Sequence, residues 1–128
     1  MLPNVKISGG DEGTLVAINK FDNFVPKRLF YISDVPKLGI RGQHAHKQNK
    51  QILICVSGEI LVTINDGLKI ETHYLRPNDL VYIDNMRWGA QQYLTGKDIL
   101  LVLCSLEYDE DDYIRDYKEF TEIVKVSK

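Results

Sequence analysis

Two of the chain's three histidines stand one residue apart in Arg41-Gly42-Gln43-His44-Ala45-His46-Lys47, followed by Gln51 and Gly58. In an extended strand alternate side chains share a face, so His44 and His46 point into one cavity while Gln43, Ala45 and Lys47 point away. Two imidazoles on one wall suit a metal or proton transfer, because a histidine with a pKa of about 6.5 both takes and gives protons near neutrality. A bare H-x-H tripeptide is equally compatible with two exposed strand residues. The flanking residues therefore decide. His73, beside Tyr74 and without a partner at ligand spacing, reads as a surface strand residue.

The elements that must hold these residues are short strands. Turn signals recur at Gly9-Gly10, Asp22-Asn23, Pro36 to Gly39, Ser57-Gly58, Asp66-Gly67, Pro77-Asn78-Asp79 and Gly96. Between them lie runs rich in β-branched and aromatic residues: 15–18, 29–32, 51–56, 60–64, 80–83 and 99–103. This rhythm predicts an all-β sandwich or barrel. Asn65-Asp66-Gly67 predicts a hairpin, since Asp-Gly accepts the positive φ angles of a tight turn. One helical pattern closes the chain. Tyr113, Ile114, Tyr117, Phe120 and Val124 make an apolar stripe, with Asp111 or Asp112 placed to cap its first turn. The acidic run from Glu107 to Asp112 then reads as a solvated lead-in favoured by the helix dipole; it lacks the spacing of a calcium loop.

A chain of 128 residues is one domain, residues 1–128, able to bury a sizeable core without staples. Sixteen basic against eighteen acidic residues, with no basic block, argue against a nucleic-acid surface. Cys55 and Cys104 lie in apolar runs and read as buried thiols. No signal-peptide pattern opens the chain and no apolar stretch approaches membrane-spanning length, so a cytoplasmic protein that enters no membrane is expected.

His44-Ala45-His46, four residues, Gln51, six residues, Gly58, then Pro77-Asn78-Asp79 and Trp88-Gly89, resembles the two-motif layout of the cupin superfamily. The resemblance implies a cupin jelly roll, a double-stranded β-helix, with a short C-terminal helix. Half of the metal ligands of that layout are replaced: Gln51 stands for its glutamate and Gly89 for its last histidine. Two imidazoles and an amide fall short of the three protein ligands of a catalytic metal site, so neither metal nor other cofactor is expected.

A closer resemblance covers nearly the whole chain. RGQHAHKQNKQILICVSG (Arg41 to Gly58) is similar to the R-G-x-H-x-H-K-x-x-x-Q-x-L-x-C-x-x-G signature of the sugar 3,4-ketoisomerases. ILLVLCSLEYDEDDYIRDYKEF (Ile99 to Phe120), Gly13 to Ile18 and Lys27 to Ile32 match that family as well. This resemblance implies an isomerase that moves the keto group of dTDP-4-oxo-6-deoxyglucose from C4 to C3 through an enediol, in synthesis of 3-amino-3,6-dideoxy sugars. Every step of that reaction is a proton transfer. His44 is then the general base and His46 its partner or relay, while Tyr31 and Gln51 donate to the developing oxyanion. Arg28 or Arg41 pairs the diphosphate, and Tyr82 or Trp88 covers a ring face. A homodimer with exchanged N-terminal strands is also implied. Two departures stand out: Phe30 replaces a tyrosine frequent in the family, and Gly89 replaces the His or Arg that follows the tryptophan. A non-catalytic sugar-nucleotide-binding cupin and a metal-dependent cupin enzyme are the competing readings. Because the two histidines share one strand face, same-face proton transfer is expected, giving dTDP-3-oxo-6-deoxygalactose.

Overall fold

The computed structural model describes residues 2–127. Its strands are β1 (Asn4–Gly10), β2 (Gly13–Asn19), β3 (Arg28–Ile32), β4 (Ile40–His46), β5 (Gln51–Ser57), β6 (Ile60–Asn65), β7 (Ile70–Leu75), β8 (Leu80–Ile83), β9 (Trp88–Tyr93), β10 (Ile99–Cys104) and β11 (Tyr113–Ile114), followed by helix α1 (Tyr117–Ser127). β1 and β2 form a hairpin of their own; the rest make a four-stranded sheet, β3-β10-β5-β8, and a five-stranded sheet, β11-β4-β9-β6-β7. All pairings are antiparallel. The two sheets face each other as a jelly roll, the all-β fold expected from the sequence.

Strand alternation assigns each side chain to a layer. Leu53 and Cys55 of β5, Val102 and Cys104 of β10, Val81 and Ile83 of β8, and Ile60, Val62 and Ile64 of β6 meet between the sheets. The intervening Ile52, Ile54 and Leu103 turn to the outer face, where Ile18, Phe21, Phe24 and Tyr82 cover them. β5 is thus apolar on both faces, which explains its uninterrupted run of Ile, Leu and Cys. Both cysteines are buried free thiols, as expected; burial pushes the Cys55 thiol up to about 11.

Asp98 is a buried anchor of the loops at one end, 1% exposed. Its carboxylate accepts from the amides of Glu59, Thr95 and Gly96 and from the Thr95 hydroxyl. A Cβ on Gly58 would lie 2.1 Å from Asp98 Oδ1, and Gly58 has φ +81°, so only glycine fits here. Gly58 therefore keeps this anchor in place.

Two expectations are corrected. Tyr113 does not begin the helix: Tyr113 and Ile114 pair with His46 and Ala45 as β11, and α1 starts at Tyr117. Ladder hydrogen bonds to the exposed edge of β4 outcompete the helical periodicity, and Asp116 accepts from the amide of Lys118 in the first turn. Nor is Asp112 a solvated lead-in, since it is 8% exposed; Glu107 to Asp111 do face solvent. β1 and β9 had no signal, because WGAQQY and NVKISGG lack a β-branched run.

Candidate active site

Between the sheets, beyond the apolar core, lies a cavity of about 380 Å³ whose lining includes His44, Gln51, Gln91, Tyr113 and three arginines, Arg28, Arg41 and Arg115. A smaller space continues from it past His44 and His46 toward Asp84, Arg87 and Gly89. β4 supplies the histidines. Its ladder with β9 slips at a bulge between Gly42 and His44, and both Gly42 (φ +88°) and Gln43 (φ +56°) are left-handed. A bulge of this kind re-aims the side chains that follow it. A Cβ on Gly42 would fall 2.9 Å from Gln91 Nε2 and 3.0 Å from the Gly89 carbonyl, which accounts for the glycine of the Arg-Gly step.

Beyond the bulge, His44 and His46 share the inner face as expected, ring centroids 4.9 Å apart and nearly perpendicular. Ala45 between them is fully buried against Ile114, Phe120 and Val124, on the side of α1. Tyr113 packs against both imidazoles at 4.9 and 4.3 Å. Burial, followed by the neighbouring His46, lowers His44 to about 4. Burial also lowers His46, against the opposing pull of Asp112. Both rings are therefore neutral at pH 7 and able to accept a proton.

Asp112 fixes the second ring. Its Oδ2 is 3.1 Å from His46 Nδ1, and the carboxylate also accepts from the amides of Gln48 and Asn49. A carboxylate only accepts, so Nδ1 carries the hydrogen and Nε2 keeps its lone pair. That Nε2 is buried without a protein partner. Orphaned buried acceptors are uncommon, and this one borders the smaller space beside His44, where a ligand can reach it.

The arginines form the outer half. Arg28 stacks on Phe30 at 4.5 Å and donates to the Tyr113 hydroxyl at 3.5 Å. Arg115 lies 4.2 Å over the Tyr113 ring and makes a two-pronged bond to Glu110 at 2.7 and 2.8 Å. That pairing holds the Glu110 carboxyl down at about 2. Three guanidinium groups around one opening match a polyanion such as a diphosphate.

The structure brings His44, His46, Arg28, Arg41 and Gln51 together at these spaces. Two expected residues, Tyr82 and Trp88, fall elsewhere, and a third, Tyr31, stands only at the exposed rim. Tyr31 borders the cavity, but it sits opposite Leu101 of the outer layer and is 68% exposed; Phe30 takes the inward position. Tyr82, opposite Ile52, belongs to the outer apolar layer. Trp88 packs against Tyr117 and Phe120 of α1. The reason is common to all three: with a period of two, each is one residue out of phase with the cavity face. Gln51 is present but differently used, since its Nε2 reaches Cys104 Sγ at 3.6 Å, leaving its oxygen for the cavity. Asp112, Tyr113, Arg115 and Gln91 went unassigned. The first three lie in the Tyr-Asp-Glu-Asp-Asp-Tyr-Ile-Arg run, whose alternation of acid and aromatic residues was the available signal.

As a metal site the donor set fits poorly. Gln51 and Gly89 occupy the remaining ligand positions, and among the described residues no three His, Cys, Asp or Glu side chains converge.

Residues 2–125 match the model of the family described as FdtA, WxcM-like, C-terminal. The chain belongs to this family. A TDP-4-oxo-6-deoxy-alpha-D-glucose-3,4-oxoisomerase from Aneurinibacillus thermoaerophilus is 36% identical to it over 115 residues, 88% of this chain and 83% of that one. Among solved structures, QdtA from Thermoanaerobacterium thermosaccharolyticum, a sugar 3,4-ketoisomerase in complex with TDP, superposes with a TM-score of 0.89 at 32% identity, covering 99% and 95% of the two chains. A 3,4-ketoisomerase from Helicobacter canadensis gives 0.87 at 33% identity, covering 95% and 94%. The fold of this FdtA-family chain is thus that of the ketoisomerases.

Proposed function

We propose that this protein is a sugar nucleotide 3,4-ketoisomerase that converts TDP-4-keto-6-deoxyglucose into the 3-keto sugar. The observation that carries this reading is a pair of adjacent neutral imidazoles, half-buried His44 lining the cavity rimmed by three arginines and buried His46 lining the smaller space that continues from it. The family match and the similarity to proteins of that activity support it.

The reaction removes the proton on C3, forms an enediol across C3 and C4, and returns a proton to C4. His44 is the general base: it lines the cavity directly, and its depressed pKa keeps it unprotonated at neutral pH. His46, held by Asp112 with Nε2 unpaired, relays the second proton. Tyr113, packed on both rings, replaces Tyr31 as the phenol of the site. Arg28, Arg41 and Arg115 hold the diphosphate; Arg115 exchanges Glu110 for phosphate oxygens. With both imidazoles on one strand face, protons move on one face of the ring, so the product is the 3-oxo-6-deoxygalactose nucleotide. Its 3-keto group is the substrate form for an aminotransferase that makes a 3-amino-3,6-dideoxy sugar. No metal takes part.

The protein works in the cytoplasm as a homodimer with exchanged N-terminal strands. The hairpin β1-β2 pairs with neither large sheet and exposes Ile7 and Leu15 at 58% and 63%, an apolar surface suited to a second copy. Incubation with TDP-4-keto-6-deoxyglucose, followed by NMR of the sugar ring, tests the activity. Appearance of a 3-keto species supports the reading; binding without turnover would replace it with a sugar-nucleotide-binding role.

A further inference from the structure

We propose that Gln91 is a catalytic residue: its amide N–H groups hold the sugar oxygen on which charge develops, while Gln51 accepts a hydrogen bond from the neighbouring hydroxyl. This deepens, and rests on, the ketoisomerase reading.

Gly89, Gln91 and Tyr93 of β9 turn inward, and Gln91 lines both the main cavity and the smaller space beside the histidines. Gln91 is 8% exposed, so a hydrogen bond within the protein decides which way its amide points. Tyr93, fully buried one step along the same face, directs its hydroxyl to Gln91 Oε1 at 3.3 Å. Burial raises the Tyr93 phenol, which keeps its single proton in place to donate. The oxygen of Gln91 is thereby occupied. Its two N–H groups have no acceptor among the described residues, and they face Gly42, where a side chain would come within 2.9 Å of Nε2. Glycine at that position leaves the amide open to the cavity.

On the opposing sheet, Gln51 is fixed in the reverse sense. Its Nε2 is directed at Cys104 Sγ, and its oxygen remains. The cavity therefore offers one amide as donor and one as acceptor, each locked by a neighbour. An α-hydroxy ketone asks for both: a donor for its carbonyl oxygen and an acceptor for its hydroxyl. As the proton leaves C3, charge grows on the carbonyl oxygen, and a preorganised neutral donor stabilises it. Removing one such donor typically costs about 10²- to 10³-fold in rate.

The test uses the full chain with TDP-4-keto-6-deoxyglucose for turnover and TDP alone for binding. Gln91→Met, of similar length but without an amide, is expected to melt like wild type, to bind TDP unchanged and to lose about two to three decades of kcat. If that variant misfolds, Gln91→Glu keeps the size and turns the donor into an acceptor, with the same expected loss. Tyr93→Phe frees the amide to rotate, so it lowers kcat less, and Tyr93→Phe with Gln91→Met is no slower than Gln91→Met alone. Wild-type kcat in a folded Gln91 variant would overturn the assignment, as would strictly additive losses for the positioning role of Tyr93. Absence of turnover in wild type is a different result: it defeats the ketoisomerase reading, and this inference with it.

Discussion

Asp112 and His46, 66 positions apart in the chain, meet at 3.1 Å in a buried pair. The same carboxylate accepts from the amides of Gln48 and Asn49. One side chain thus orients the imidazole and pins the turn that follows β4. Asp112→Asn keeps the size of the side chain, yet its amide nitrogen donates and cannot accept, so one of the two oxygens that serve the three donors is lost. The expected outcome is a loss of turnover of about tenfold to a hundredfold, less than the roughly 10²- to 10⁴-fold for losing a proton carrier outright, with a lower Tm. Steady-state kinetics beside thermal melts would check it; wild-type kcat in Asp112→Asn would remove His46 orientation from the mechanism.

His44→Asn should keep the fold, because His44 borders the cavity rather than the apolar core. Turnover should fall by about two to four decades, as for loss of a general base. The product NMR assay measures this directly. A near-normal rate would move the base to His46.

Both histidines have folded-state pKa values below the ordinary one, His44 at about 4. The unfolded chain therefore binds more protons than the folded one between about pH 6.5 and pH 4, and stability must fall as pH drops through that window. Each histidine steepens the slope by at most about 1.4 kcal/mol per pH unit. Urea titrations from pH 7 to 4, compared with His44→Asn, would show the difference. For the same reason the acid limb of kcat/KM should lie nearer pH 4 than 6.5; a limb at 6.5 would mean the base is a solvated histidine.

Asp98→Ala removes the acceptor of the Glu59, Thr95 and Gly96 amides. Leaving such donors unpaired should destabilise the protein by about 2–4 kcal/mol, with little effect on KM because Asp98 is absent from the cavity lining. Thermal denaturation gives the first quantity and kinetics the second. An unchanged Tm would refute the anchoring role of this carboxylate.

Exhaustive chelation should leave turnover unchanged, since Gln51 and Gly89 supply neither a carboxylate nor an imidazole to join His44 and His46. Activity lost to a chelator and restored by one particular ion would overturn the metal-free mechanism.

The sequence by itself determined the local terms. Period-two alternation put His44 and His46 on one face, turn residues and β-branched runs set most of the strands, and apolar flanks buried Cys55 and Cys104. These depend on residues near in the chain. Tertiary structure decided what needed partners from far away. The phase of β3, β8 and β9 against the facing sheet left Tyr31 at the exposed rim, turned Tyr82 and Trp88 out and turned Phe30 and Gln91 in. Pairing of Tyr113 and Ile114 with β4 converted the start of an apparent helix into an edge strand. That conversion carried Asp112 to His46 and Tyr113 onto both imidazoles. Helical periodicity and strand pairing offer the same apolar residues different neighbours, and only the open edge of β4 tells which wins.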